Sequence, residues 1–450
     1  DYSMDYPVSR TTADKNLLRK CTAAPTSWGS VLQAYCRNWL VPRKEVAYIK
    51  KPVARNFDRI EALPVMGEDA SVIGSGIAIF GCRPDKILDT IEKIELAEGL
   101  PHPVIDGKWG KVSSKASATY MITDFTEANI GKVLSYARRA GMKYIYHGEP
   151  FKTWGHFILR EDHFPGGDES LKRCVDMAEA MGIGVGVHIL TNFTTTNDPY
   201  VTPVPDSRLV KAGVSKLSAA VGKEAQEIPV DDPGPFREKT WLSTAVAGDE
   251  LVQYENVSDN EPWILKGCKR GAFGTAVQPH QMGETIGKLR DHPYNVFFPN
   301  LELQDEYCRR IVDLFNYTGL KMIAFDGLEG CFATGHGDYS SNRFVKMCHD
   351  GWKNHVVNSA SRLQHYLWHI NTRMNWGEPW GAAMREGQIK GRLVNQQFYK
   401  RNLLPAMIGW FLIRLASDKF EATTLDDIEW MLSEAAGFKA GYSICVDSKV

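Results

Sequence analysis

Asp326 ends an apolar run, Met322-Ile323-Ala324-Phe325, and is followed at once by Gly327. Such a run reads as a buried strand, and the Asp-Gly pair breaks it, so the carboxyl is delivered to the strand's C-terminal edge. Glu329 lies three residues on, and Phe332, Thr334, His336, Asp338 and Tyr339 follow closely. Asp-Gly is also ordinary turn chemistry, so a catalytic carboxylate and a plain turn are both open here. A second carboxyl, Glu378, stands between Trp376 and Trp380. Flanking rings desolvate an anion, raise its pKa and keep the acid protonated at neutral pH. One ionised and one protonated carboxyl across a bond is the equipment for cleaving a glycosidic linkage. The other reading of this stretch is a rim loop whose tryptophans cover neighbouring structure.

Further polar residues fall at or just past expected strand ends, where they could bind hydroxyls. These are Asp124, His147, Glu149, Trp154, His156, His188, Asn192, Asn358, Arg362 and Trp410, with Arg373 beside the Glu378 cluster. Singly each is better explained as structure; as a ring around one mouth they are informative together. Arg270 opens the Gly-dependent turn Arg270-Gly271-Ala272-Phe273-Gly274-Thr275, which could brace such a site or reach into it. His336 lies in the Gly-rich rim loop Thr334-Gly335-His336-Gly337-Asp338-Tyr339. His156, His163 and His188 lack any metal-ligand spacing of the HExxH type, so no catalytic metal is expected. Neither loop carries the Lys-Ser/Thr ending of a phosphate loop, and Gly74, Gly76 and Gly81 have the wrong spacing for a dinucleotide fingerprint. No cofactor is expected.

The elements that would hold these residues alternate. Strands are expected at 118–125, 143–147, 183–190 and 321–325, then at 354–360, 367–372, 404–412 and 441–446. Helical patterns lie between them, several closed by a glycine such as Gly141, Gly182 or Gly319. Strand, helix, strand in repetition implies a parallel sheet, and eight strands favour a closed (β/α)8 barrel of the TIM type over an open sheet. A polar residue at the C-terminal end of a barrel strand points into the shared mouth. Residues 195–285 interrupt the rhythm with Pro-rich, charged and alternating segments, and read as an inserted antiparallel β subdomain. Residues 1–115 read as a smaller N-terminal module with one clear helix from Pro84 to Gly99. The expected division is therefore 1–115 for that module and 116–450 for the barrel with its insertion.

A chain of 450 residues has room for this, since such a barrel takes roughly 250 residues before insertions. The net charge of −1 removes any electrostatic case for nucleic acid or an anionic membrane as partner. No apolar run reaches membrane-spanning length. Nine scattered cysteines, none in CxxC spacing, support neither a zinc ribbon nor a dense disulfide framework. Twelve Trp, 17 Tyr and 19 Phe suit sugar rings, whose C–H faces stack on aromatics, although a large core also uses them. The expected partner is a carbohydrate. A periplasmic or secreted location would match that substrate.

The stretch from Trp154 to Leu190 resembles the clan of retaining α-galactosidases and α-glucosidases. A segment of the type Trp…Asp…Phe-Pro-x-Gly precedes a helix and a Gly-rich strand there. Here it stands as Glu161-Asp162-His163-Phe164-Pro165-Gly166-Gly167, then Gly182-Ile183-Gly184-Val185-Gly186-Val187-His188. The resemblance covers residues 117–446 in order of elements and about 40 residues in motif detail. It implies that the next barrel strand delivers an aspartate nucleophile, which makes Asp326 that residue. The clan's lysine two residues before the nucleophile is replaced by Ala324. Its acid/base aspartate after the sixth strand is absent, and Glu378 stands in that region. Three functions follow: a retaining glycoside hydrolase using Asp326 and Glu378, with Glu329 as a further acid; a polysaccharide lyase in which Arg362, Arg373 or His280 neutralises a uronate; or a barrel that only binds sugar.

Overall fold

The computed structural model describes residues 77–363, 365–377 and 389–446, together with the short strands Ala24–Pro25, Ser30–Ala34, Val46–Lys50 and Phe57–Ala62. Seven strands form one sheet in which every pairing is parallel: β1 (Tyr120–Ile122), β2 (Tyr144–His147), β3 (Gly184–Leu190), β4 (Met322–Asp326), β5 (Val357–Ala360), β6 (Met407–Ile413) and β7 (Gly441–Val446). Their order, β5-β4-β3-β2-β1-β7-β6, follows the chain around a barrel and leaves one place between β5 and β6. Residues 371–377 take that place. On one side Thr372 N and Arg373 N both donate to Asn358 O at 3.2 Å, and on the other Trp410 N donates to Gly377 O at 2.9 Å. Side chains complete this stave: Asn358 N donates to Thr372 Oγ1, and Gly409 N to Asn375 Oδ1.

The sixth strand expected at 367–372 is thus corrected. Those residues lie largely in a short helix, His365–Ile370, and the stave begins after it. Tyr366, Leu367, Trp368 and Ile370 are all buried. A short apolar run buried on every side has no period that separates helix from strand.

Alternation along the strands divides the apolar residues into two layers. Met121, Ile145, Val185, Val187, Ile323 and Phe325 point outward into the core beneath the helices. Tyr120, Ile122, Tyr144, Tyr146, Met322, Val357 and Met407 fill the interior. Two glycines of β3 make that filling possible. A Cβ on Gly184 would meet the Tyr144 ring at 2.5 Å, and one on Gly186 would meet Met322 Cβ at 2.7 Å. Helices between the strands end where glycines allow left-handed backbone; Leu301–Thr318, capped by Gly319 at φ 80°, is one.

Between β3 and that helix the chain leaves the barrel. Lys211–Lys216, Thr285–Leu289, Thr244–Ala247 and Glu250–Gln253 form a four-stranded antiparallel sheet. Its core of Leu217, Val230, Phe236, Ala245, Val252, Leu265 and Ile286 is separate from the barrel's. The insertion extends past the expected end at 285, because Asp291–His292 and Val296–Phe297 form a further hairpin that pairs with Thr194–Thr195. On the other side, the helix Ile87–Glu98 joins the barrel body: Ile87, Ile91 and Trp109 share its outer core. Glu95, fully buried, meets His369 Nδ1 at 2.6 Å, and Lys111 Nζ donates to Trp368 O and Asn371 O. This contact fixes the start of the irregular sixth stave.

Gly186→Ala is expected to cost about 1–3 kcal/mol of stability, because Met322 must leave its place in a close-packed interior. Denaturant unfolding would read this as a lower midpoint at unchanged slope. An unchanged midpoint would show that β3 and β4 have slack the geometry does not suggest.

Candidate active site

The C-terminal ends of the strands open into a cavity of about 780 Å³. Six staves contribute to its wall: Asp124 follows β1, Tyr146 and Glu149 come from the end of β2, His188 and Leu190 from β3, Asp326 from β4, Trp410 from β6 and Cys445 from β7. Trp154 and Tyr294 close the sides. This is the position where barrel enzymes carry their chemistry.

Asp326 is the last residue of β4, and its side chain is 48% exposed, facing the cavity. Gly327 N–H donates to Oδ1 at 2.8 Å, and His188 Nε2 lies 3.4 Å from Oδ2. Only glycine serves at 327. Its φ is +67°, and a Cβ would strike Phe193 at 2.6 Å. The surrounding wall desolvates the Asp326 carboxyl and works against ionisation. The hydrogen bond and charge of His188, with the Gly327 amide, outweigh that and hold the group below its ordinary value. The resting state is a carboxylate open to a ligand.

Asp124 and Glu149 are the other carboxyls among the lining residues. His147 lies beneath them rather than in the cavity. It is fully buried, with Nε2 2.9 Å from His163 Nδ1 and Nδ1 accepting from Glu149 N at 3.2 Å. Burial, then the neighbouring His163, pushes its pKa down to about 3, so it is a neutral support for the β2 end. No Lys or Arg lines the cavity among the described residues.

Of the residues singled out from sequence, Asp124, Glu149, Trp154, His188, Asp326 and Trp410 come together in this one space. Several others lie elsewhere, each for a visible reason. Arg373 is buried at the opposite end of the barrel interior, donating to Ala116 O and Ala118 O and stacked 4.6 Å over Tyr120. Arg270 forms a two-pronged pair with buried Glu250 and braces the inserted sheet. Asn192, buried with φ +64°, donates to Gly330 O. His156 is held by buried Asp198 at 2.8 Å and stacks on Tyr200. Trp376 packs on Phe398 and Tyr399, outside the barrel wall. Arg362 stacks on Phe332, and His336 sits by Tyr339; neither lines the cavity. Glu329 is exposed on the short helical turn after Asp326 and also falls outside the lining. Glu378 and Trp380 lie outside the described residues.

Tyr146 was not singled out from sequence, where Lys143-Tyr144-Ile145-Tyr146-His147 reads only as an apolar strand. The residue is 1% exposed yet forms cavity wall, and its hydroxyl has no hydrogen-bond partner among the described residues. Burial, with Tyr120 and the Asp326 charge adding, pushes the phenol well above its ordinary pKa. It therefore stays a donor, and an unmatched one costs roughly 1–3 kcal/mol until something accepts from it. The signal that could have found it is its parity with Tyr144, facing Gly184 and Gly186 across the β2–β3 pair. Among the described residues no group of three or more His, Cys, Asp or Glu could hold a metal ion, and no helix is long and apolar enough to cross a membrane.

No protein-family model matches the chain, and no curated protein matches its sequence. The solved structures it resembles include α-galactosidases and α-glucosidase-like barrel enzymes, at 8–11% identity. An alpha-galactosidase from Lactobacillus brevis gives a TM-score of 0.41 at 11% identity, covering 73% of this chain and 37% of its own. This chain thus spans well under half of that protein's length. A trehalose-6-phosphate hydrolase from Bacillus licheniformis gives 0.41 at 9%, covering 73% and 64%. An alpha-galactosidase from Thermus thermophilus, solved with stachyose, gives 0.43 at 8% identity, covering 94% of this chain and 75% of its own.

Proposed function

We propose that this chain is a glycoside hydrolase that cleaves an oligo- or polysaccharide with retention, Asp326 being the nucleophile and Glu378 the acid/base. One observation carries the reading: an ionised, half-exposed aspartate ends a barrel strand inside a cavity walled in part by Trp154 and Trp410. A carboxylate held as an anion can attack an anomeric carbon, and a second acid then protonates the leaving oxygen. The lyase reading needs a cation against a uronate. Its three candidates, Arg362, Arg373 and His280, lie against Phe332, in the barrel interior and against buried Glu250 respectively. An acidic wall without Lys or Arg among its described residues favours an uncharged sugar.

Asp326→Asn is expected to lower kcat by about a thousandfold or more on any glycoside the wild type cleaves, with folding intact. With the smaller Asp326→Gly, added azide should restore turnover and yield a glycosyl azide detectable by mass spectrometry. Near-parental activity in Asp326→Asn would end the assignment.

The acid side of the kcat/KM profile should follow Asp326. Its lowered pKa leaves it ionised throughout neutral pH, and activity is lost only as pH falls through a value below about 3.9. In His188→Gln the desolvating wall remains while the imidazole's charge is gone. The acid limb should then move upward in pH. A limb that stays in place would mean that His188 does not govern this carboxyl.

A further inference from the structure

The exposed indole of Trp241 is a large apolar surface left in water, 64% exposed, and yet it is firmly held. Its Nε1–H donates to Asn295 Oδ1 at 2.9 Å, and its backbone N–H donates to Asp291 Oδ1 at 3.1 Å. Asp291 also accepts from Thr240 Oγ1, Leu242 N and Ser243 N at 2.6–3.1 Å, so four donors from one short loop converge on one buried carboxylate. A ring that merely failed to find a core would need no such cradle.

The partner of the indole locates it. Asn295 sits in the tip of the hairpin Asp291–His292/Val296–Phe297, in left-handed backbone at φ +57°. Its neighbour in that tip, Tyr294, lines the cavity while 55% exposed, and rests edge-on against His292 at 4.5 Å. Trp241 is thus tied to the residue next to Tyr294, and Tyr294 shares the cavity wall with Trp154 and Trp410. Asn295 puts a polar group at the edge of the indole, and Lys239 and Thr240 precede it in the chain. A flat ring with a polar margin fits the C–H face of a pyranose, whose hydroxyls stay wet at the edges. A protein partner would ask for a contiguous apolar patch instead.

We infer that Trp241, on the inserted subdomain, is an outer sugar-binding platform for a neutral glycan chain that extends from the cavity past Tyr294. This rests on the glycosidase reading of the cavity and adds to it that the substrate is longer than the cavity alone can hold. It also gives the inserted subdomain a role: it carries both the lip and the platform.

The test pairs short and long probes, namely nitrophenyl glycosides of glucose, galactose, mannose and xylose and the matching linear hexaoses. Turnover is measured on wild type, Trp241→Ala and Trp241→Phe, and calorimetric binding of the hexaoses on Asp326→Asn with and without Trp241→Ala. For the hexaose that is cleaved or bound, Trp241→Ala should weaken kcat/KM or affinity by about tenfold. The matching short glycoside should change by less than about twofold, and Trp241→Phe should recover most of the loss. Equal effects on both lengths, no effect on either, or no binding of any hexaose would overturn the platform. Hexaose affinity that depends on Trp241 without turnover would uphold the platform and reject the glycosidase reading. Turnover abolished by Asp326→Asn but indifferent to Trp241 would do the reverse.

Discussion

A closed parallel barrel encloses a fixed volume, and what fills it decides how deep its mouth can be. Here the lower interior is taken by Tyr120, Tyr144, Tyr146, Met322 and Met407. Glycines at 184 and 186 give up their own share of space so that the tyrosines and Met322 can enter. Arg373 completes the plug with its guanidinium against two carbonyls, the Tyr120 ring and Met322 Sδ, and Nε has no partner among the described residues. A buried cation without a carboxylate partner is costly, and burial lowers its pKa. With the bottom sealed in this way, the upper ends of β3 and β4 carry His188 and Asp326 over an open cavity rather than a packed core.

The same economy explains what could be read from the chain in advance. β2, β3, β4 and β7 lie within a residue or so of the expected strands at 143–147, 183–190, 321–325 and 441–446, because each is an apolar run closed by a turn residue. Asp326 was legible for the same reason: apolar strand, then Asp-Gly. The sixth stave was not. Its pairing depends on Thr372 and Asn375 side chains standing in for ladder bonds, and that pattern has no hydrophobic period to detect. The neighbouring run Tyr366-Leu367-Trp368 attracted the strand assignment although it forms a helix.

Charged residues misled in a consistent way. Arg270, Arg373, His147 and His156 each sit near an expected strand end or turn, as ligand-binding groups do. Each is instead held by a partner within the fold: Glu250, backbone carbonyls, His163 and Asp198 respectively. Sequence shows where a polar side chain leaves the backbone, but not whether a partner from far along the chain is waiting for it. Glu250 and Arg270 are separated by 20 residues, His156 and Asp198 by 42, and Arg373 and Ala116 by 257. Tyr146 is the converse case, a residue that looked like core filling and keeps an unused hydroxyl in the cavity wall.

The three carboxyls among the described lining residues of the cavity do not share one environment. Asp326 has a histidine and a backbone amide directed at its oxygens, so ionisation is favoured despite the wall around it. Asp124 has buried His147 3.4 Å away, but that imidazole is neutral at any working pH and supplies no charge. Within the cavity, Asp326 is therefore the carboxylate whose anion the fold itself stabilises, through one side chain from the neighbouring strand and one amide from its own turn.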